Sequence, residues 1–168
     1  SILNENLIIS KFVINKRTDP IYNLKSVKNK TEIKNMMDIH IKDGVAVTKF
    51  LYWIIKNQKK KISEIDAEKK LETFRKQNKN YLFPSFSTIS ATGKNGSIIH
   101  YRASNKTCRE IKKNDLYLCD SGGQYTYGTT DVTRTISFKK QTNNIKDVFT
   151  RVLKGHIAVA LSLIHISE

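Results

Sequence analysis

Hydrophobic and polar positions follow two different periods along the chain, and the change of period divides it. From Ile33, apolar residues recur at Met36, Met37, Ile41, Val45, Val47, Leu51, Ile54 and Ile55, the spacing of a long amphipathic helix. Asn29, with Glu32 three residues on, matches a capping box that opens it. Ser63 is placed to cap a second helix through Ala67, Leu71 and Phe74, ending among Lys76 to Asn80, with Lys56 to Lys61 as the polar connection. Beyond Pro84 the period shortens. Two strand-like stretches, Phe86 to Ala91 and Ser97 to Arg102, flank the turn Gly93-Lys94-Asn95-Gly96. After a polar connection from Ser104 to Lys113, Asp115 to Phe138 reads DLYLCDSGGQYTYGTTDVTRTISF, two β-branched and aromatic runs around a Gly/Ser/Tyr turn. That is a second hairpin. Gln141 to Asn144 forms a loop in which Thr142 can cap a last helix bearing Ile145, Val148, Phe149, Val152, Leu153, His156, Ile157 and Ala160. Helix, helix, two hairpins, helix predicts an α+β fold, an antiparallel β-sheet covered by helices, and not a parallel doubly wound sheet.

The second hairpin holds the candidate chemistry. A turn centred on Tyr125 and Thr126 sets Asp120 directly opposite Asp131. Opposed side chains on one hairpin face lie about 4.5–5.5 Å apart at Cβ, where like charges destabilise. Carboxylates that close need a cation, a shared proton or a strong donor. Spacing alone leaves other roles open: Asp120 in Asp-Ser-Gly-Gly can be a turn former that caps local amides, and Asp131 a strand residue facing solvent. Thr129, Thr130, Thr133 and Thr135 can donate hydrogen bonds that orient a ligating carboxylate, and oxygen ligands suit Mn²⁺, Mg²⁺ or Ca²⁺. His40 and His156 read as packing residues on apolar helix faces. Cys108 and Cys119, the only two cysteines, form no CxxC pair and fit a reducing compartment. Strand alternation turns Cys119 to the face opposite Asp120.

Composition narrows the classes. A chain of 168 residues with 39% hydrophobic content and two prolines can bury one core and is not disordered. It begins at Ser1 and not Met, as a processed product or a fragment would. Residues 1–20, with apolar runs at Leu7 to Ser10 and Lys11 to Asn15 before Asp19-Pro20, read as the end of a preceding domain plus a linker, and 21–168 as the domain proper. No apolar run approaches the ~20 residues of a membrane span, so no membrane partner is expected and the cytoplasm is the simplest location. The formal net charge is +15, carried mostly by lysine pairs and triplets such as Lys59 to Lys61 and Lys139-Lys140. Aromatic residues are not interleaved with these clusters as a stacking platform requires. They read as solvated faces, and a nucleic-acid partner is not expected.

Asp120-Ser121-Gly122 and Gly128-Thr129-Thr130-Asp131-Val132-Thr133-Arg134-Thr135 resemble the first half of the metal signature of the creatinase/methionine-aminopeptidase ("pita-bread") superfamily, peptidase family M24. Further matches run in order: Val27-Lys28-Asn29 with Glu32, His40 to Ala46, Phe86 to Ile89, Gly93 with Asn95-Gly96, Ile98 to Tyr101, and Val152 to Ala158. The resemblance covers about residues 21 to 161 and is nearest to the aminopeptidase P branch. The Ile98 to Tyr101 context and the Lys154-Gly155-His156-Ile157 helix fit methionine aminopeptidase less well.

What the resemblance implies is the first half of a pita-bread fold and a metal-dependent aminopeptidase. Its substrates would be peptides with proline in second position, cleaved by a hydroxide bridging two divalent ions, usually Mn²⁺ in this branch. Asp120 would bind one ion and Asp131 bridge both. His100 would hydrogen-bond the bound peptide, and Phe86 would form an apolar wall near the N-terminal side chain. A homodimer of the full-length protein is compatible with the family. Members use two aspartates, then a histidine and two glutamates further on; those last three are not matched before Glu168. The tail Leu161 to Glu168 departs from the family pattern, as a truncated or mis-joined end would, and neither His156 nor His165 nor Glu168 takes a ligand position. The 168-residue piece is therefore expected to be inactive alone. The alternative is a non-catalytic pita-bread module that binds nucleic acid or protein, which the charge would suit and the retained aspartates oppose.

Overall fold

In a computed structural model that describes residues 19–166, the chain runs through four α-helices and six short strands. Helix α1, Pro20–Ser26, starts where a linker was expected: Asp19 accepts from the Ile21 amide at 2.9 Å and Pro20 occupies the first helical turn, which needs no amide donor. The expected linker and preceding-domain end otherwise lie at 1–18, outside the described residues. Helix α2, Lys30–Lys56, opens on the expected capping box, with Asn29 and Glu32 bonding each other's backbone amides at 2.8–2.9 Å. Helix α3, Glu64–Arg75, opens on a second box, Ser63 with Asp66.

The face that α2 buries differs from the expected stripe. Ile39, Asp43, Ala46, Val47, Phe50 and Ile54 are buried, whereas Ile33, Met37, Ile41, Val45 and Ile55 are at least half exposed. Apolar residues occur around most of this helix, so two stripes of the same period compete. The stripe that is buried is the one that carries Asp43, paired there with Arg75. Inside α2 and α3, Val47, Phe50, Ile54, Ile62, Ala67, Leu71 and Ile111 pack with Tyr117 and Cys119 into one apolar cluster.

Strands β1 (Tyr81–Pro84), β4 (Gly123–Tyr125) and β5 (Gly128–Thr129) form one antiparallel sheet in the order β1-β4-β5. Strands β2 (Ile89–Thr92), β3 (Leu116–Ser121) and β6 (Val132–Ser137) form another, in the order β2-β3-β6. The antiparallel α+β reading thus holds, with two corrections. Ser97 to Arg102 is not a strand: Gly93–Ser97 makes a 3₁₀ turn and His100 takes φ 53°, the left-handed region. Residues on either side of His100 are held elsewhere, by hydrogen bonds to Glu64 described below. The second correction is the register of the later hairpin. Tyr125 pairs with Gly128 and the turn falls at Thr126-Tyr127, so Asp120 faces Thr133 and not Asp131.

Helix α4, Asn143–Ile166, continues through the atypical tail without a break as far as Ile166. His156 is exposed on it, and His40 is exposed on α2 with Nδ1 2.8 Å from the Met36 carbonyl oxygen; neither is the packing residue expected.

Candidate functional site

Strand β3 buries alternate residues. Tyr117, Cys119 and Ser121 point into the protein, which leaves Leu118 and Asp120 on the opposite, more open face. Asp120 lies between Ile89 on β2 and Thr133 on β6, and the Thr133 hydroxyl donates to its Oδ1 at 2.7 Å. Asp131 occupies the break between β5 and β6, two residues before Thr133. Phe86, Ser87, Ile89, His100, Arg102, Asp120 and Asp131 line one cleft of about 330 Å³. The four residues singled out from sequence, Asp120, Asp131, His100 and Phe86, therefore meet in one place. Among the described residues neither aspartate makes an ion pair with the Arg102 at the rim. Of the four expected threonine donors, only Thr133 bonds a cleft carboxylate. A larger groove of about 650 Å³ between β6 and α4 has Lys146 as its one charged lining residue and so offers little chemistry.

Two buried carboxylates that the sequence did not single out stand behind this cleft. Asp43 of α2 forms a bidentate ion pair with Arg75 of α3, Oδ1 to Nε at 2.7 Å and Oδ2 to Nη2 at 3.1 Å. Its remaining capacity accepts from the Tyr125 hydroxyl at 2.6 Å and the Thr130 hydroxyl at 2.9 Å. Burial pushes the Asp43 carboxyl up, but the bonds and charge of Arg75, with those two hydroxyls, outweigh it and hold the pKa below the usual carboxylate value. Burial and the Asp43 bond both push Tyr125 well above the ordinary phenol value.

Glu64, the first residue of α3, is likewise fully buried. It accepts from the amides of Thr92 (2.7 Å) and Arg109 (2.9 Å), from the Tyr101 hydroxyl (2.7 Å), and from Asn95 Nδ2, which is 3.1 Å from both oxygens. These donors span the segment that carries His100. The loop lacks sheet partners there, and a carboxylate organises it instead. The left-handed φ of His100, costing on the order of 1 kcal/mol or more for a side chain with a Cβ, is sustained by this frame.

The chain matches the model of metallopeptidase family M24 over residues 34–165. It belongs to that family. A probable Xaa-Pro aminopeptidase P of Podospora anserina is 45% identical over 153 residues, covering 89% of this chain and 22% of that protein. The crystal structure of an X-prolyl aminopeptidase from Caenorhabditis elegans, described as a cytosolic enzyme with a di-nuclear active site, superposes with a TM-score of 0.72 at 33% identity, over 76% of this chain and 21% of that one. A prolidase from Thermococcus sibiricus gives a TM-score of 0.69 at 29% identity, over 91% and 40%. The helix and antiparallel-sheet architecture is thus that of the pita-bread M24 neighbours. The chain spans about a fifth of the length of the curated relatives it matches.

Proposed function

We propose that this chain is the amino-terminal part of the catalytic domain of an Xaa-Pro aminopeptidase, and that the cleft at Asp120 and Asp131 is its share of a dinuclear metal site. The observation that carries the reading is the convergence of Asp120, Asp131, His100 and Phe86 on one cleft. The names of the relatives support it. The donor chemistry also fits a hard divalent ion: two carboxylates share the cleft with no ion-pair partner among the described residues, and Thr133 orients one of them. Asp120 would hold one ion and Asp131 both, with Mn²⁺ as the preferred metal. Bound there, the ions would supply an activated water and charge to stabilise a developing oxyanion.

The chain's own residues do the rest. His100, exposed at the cleft mouth, hydrogen-bonds the peptide, and half-buried Phe86 packs against its N-terminal side chain. Recognition has to come from such contacts, because a proline in second position offers no amide hydrogen. Asp120 and Asp131 are the donors this chain brings to the cleft, and with those two alone it would not turn over peptides unaided. A cytoplasmic location accords with the cytosolic nematode enzyme; among the described residues no helix is long and apolar enough to cross a membrane.

The deciding experiment is release of the first residue from an Xaa-Pro peptide by the natural full-length protein. Activity should vanish with chelator and return with Mn²⁺, and Asp120→Asn and Asp131→Asn should each lower kcat/KM about 100-fold or more, the loss of several kcal/mol of metal-derived stabilisation. Full activity in either variant would overturn the assignment. The net charge of +15 supports one other reading, a non-catalytic polyanion-binding module. Oligonucleotide binding that persists at physiological salt with a steep log-log salt slope, with no peptidase activity, would favour it.

A further inference from the structure

We propose that the buried Asp43–Arg75 ion pair is a positioning device that sets the separation of Asp120 and Asp131, and through it the affinity of the cleft for divalent ions. This rests on the cleft being a metal site. The hydrogen bonds radiating from the pair end on the sequence neighbours of the two cleft carboxylates. Arg75 Nη2 donates to the hydroxyl of Ser121, the residue after Asp120, at 3.1 Å. Asp43 Oδ2 accepts from the hydroxyl of Thr130, the residue before Asp131, at 2.9 Å. That hydroxyl also accepts from the Gly123 amide at 2.9 Å, so the two arms are tied both to each other and to the pair.

The location is where such a device is needed. The β3–β6 ladder ends at Ser121 opposite Val132, and β4 and β5 belong to the other sheet. At Gly122 and at Thr130-Asp131 the chain passes between sheets; one backbone bond, from the Thr130 amide to the Gly123 carbonyl at 2.9 Å, joins the arms there, and no ladder continues past it to fix how Asp120 and Asp131 are spaced. Stability alone gives little reason for a charge pair here. Replacing a buried ion pair by apolar residues of similar volume is often neutral or stabilising. The distinctive property of Asp43 and Arg75 is directional bonding to both sides of the break.

The experiment is Mn²⁺ titration of the natural full-length protein by calorimetry, with thermal melting in parallel. The double variant Asp43→Leu with Arg75→Met removes the charges together and keeps apolar volume. It should stay folded and bind Mn²⁺ about 10–100-fold more weakly, the range found when groups orienting metal ligands are removed. The pair Ser121→Ala with Thr130→Val cuts only the outer bonds and leaves the ion pair intact; it should weaken Mn²⁺ binding about tenfold or more even if the first variant does not fold. Asp120→Asn separates the two ideas. If it leaves Mn²⁺ affinity unchanged, the cleft is not the metal site. If it abolishes binding while Ser121→Ala with Thr130→Val binds Mn²⁺ as wild type does, the cleft stands and the positioning role is overturned.

Discussion

Replacing Glu64 by Gln alters one atom of a buried side chain and should cost about 2–4 kcal/mol. Glu64 presents only acceptors, and every neighbour aimed at it is a donor: two backbone amides, the Tyr101 hydroxyl and the Asn95 amide. In the Gln variant one oxygen becomes an NH₂. If it takes the Oε1 place it faces the Thr92 amide, and in the Oε2 place it faces the Arg109 amide. The Tyr101 hydroxyl can turn to the Thr107 carbonyl, already 3.1 Å away, but a backbone amide cannot turn. One buried N–H is therefore left without an acceptor, at about 1–3 kcal/mol, and the surviving bonds lose their charge assistance. Urea unfolding followed by Trp53, the single tryptophan, reads the loss; Trp53 packs against the core shared by α2 and α3, with Lys70 of α3 5.5 Å over its ring, and so reports the packing of the two helices. With a slope near ~2 kcal/mol/M, the midpoint should fall by about 1–2 M. A midpoint within about 0.25 M of wild type would refute the argument, since Gln matches Glu in volume and differs only in what it can accept.

Gly122 should tolerate no side chain: a Cβ there would overlap the Thr130 carbonyl oxygen and the Ser85 hydroxyl, so Gly122→Ala should lower thermal stability by several kcal/mol or abolish folding, and a wild-type melt would refute the close approach. His100→Gly should leave stability unchanged or raise it by up to about 1 kcal/mol, because glycine enters the left-handed region freely, while kcat/KM on Xaa-Pro peptides falls; a loss of stability would show that the imidazole is structural. In alkaline spectrophotometric titration, Tyr81, Tyr101, Tyr117 and Tyr125 of the seven tyrosines should ionise only above the ordinary phenol value of about 10. Their folded pKa values are raised, so this contribution to stability is complete below about pH 10 and declines as pH rises from there towards the folded values. All seven ionising as one class near pH 10 in a protein still folded by circular dichroism would contradict it.

His100 and Phe86 are reached only through the family resemblance, whereas the Asn29 capping box and the Ser63 cap are legible in the sequence from short-range spacing. The hairpin register is not, and the reason it did little harm is geometric. A shift of one residue turns every side chain to the other face, whereas a shift of two returns it to the same face. Moving the turn from Tyr125-Thr126 to Thr126-Tyr127 changes the partner of Asp120 from Asp131 to Thr133, a step of two that keeps Asp120 on the expected face, and both aspartates line one cleft. The buried stripe of α2 is harder to read. Ile39, Ala46, Val47, Phe50 and Ile54 keep helical spacing, but Asp43 interrupts them and makes the stripe resemble a solvated face. The available signal was that spacing itself: an acid four residues after Ile39 and three before Ala46 has to be buried if they are. Its partner Arg75 lies 32 residues away, beyond any local pattern.

The two buried carboxylates divide the work of holding the cleft, and α3 keeps them apart. Glu64 begins this helix and Arg75, the partner of Asp43, ends it; eleven residues at a 1.5 Å rise set them about 16 Å apart along its axis. They have no hydrogen-bond partner in common. The Glu64 end organises the segment bearing His100, and the Arg75 end ties down the arms bearing Asp120 and Asp131. At that separation, perturbations combine nearly additively. Loosening the Glu64 end should therefore move the His100 side of the cleft while leaving the carboxylates in place, and cutting the Asp43–Arg75 bonds should do the reverse. One rigid helix, capped at Ser63 and packed on the core through Ala67 and Leu71, would thus supply separate adjustments for the proposed peptide and metal sites.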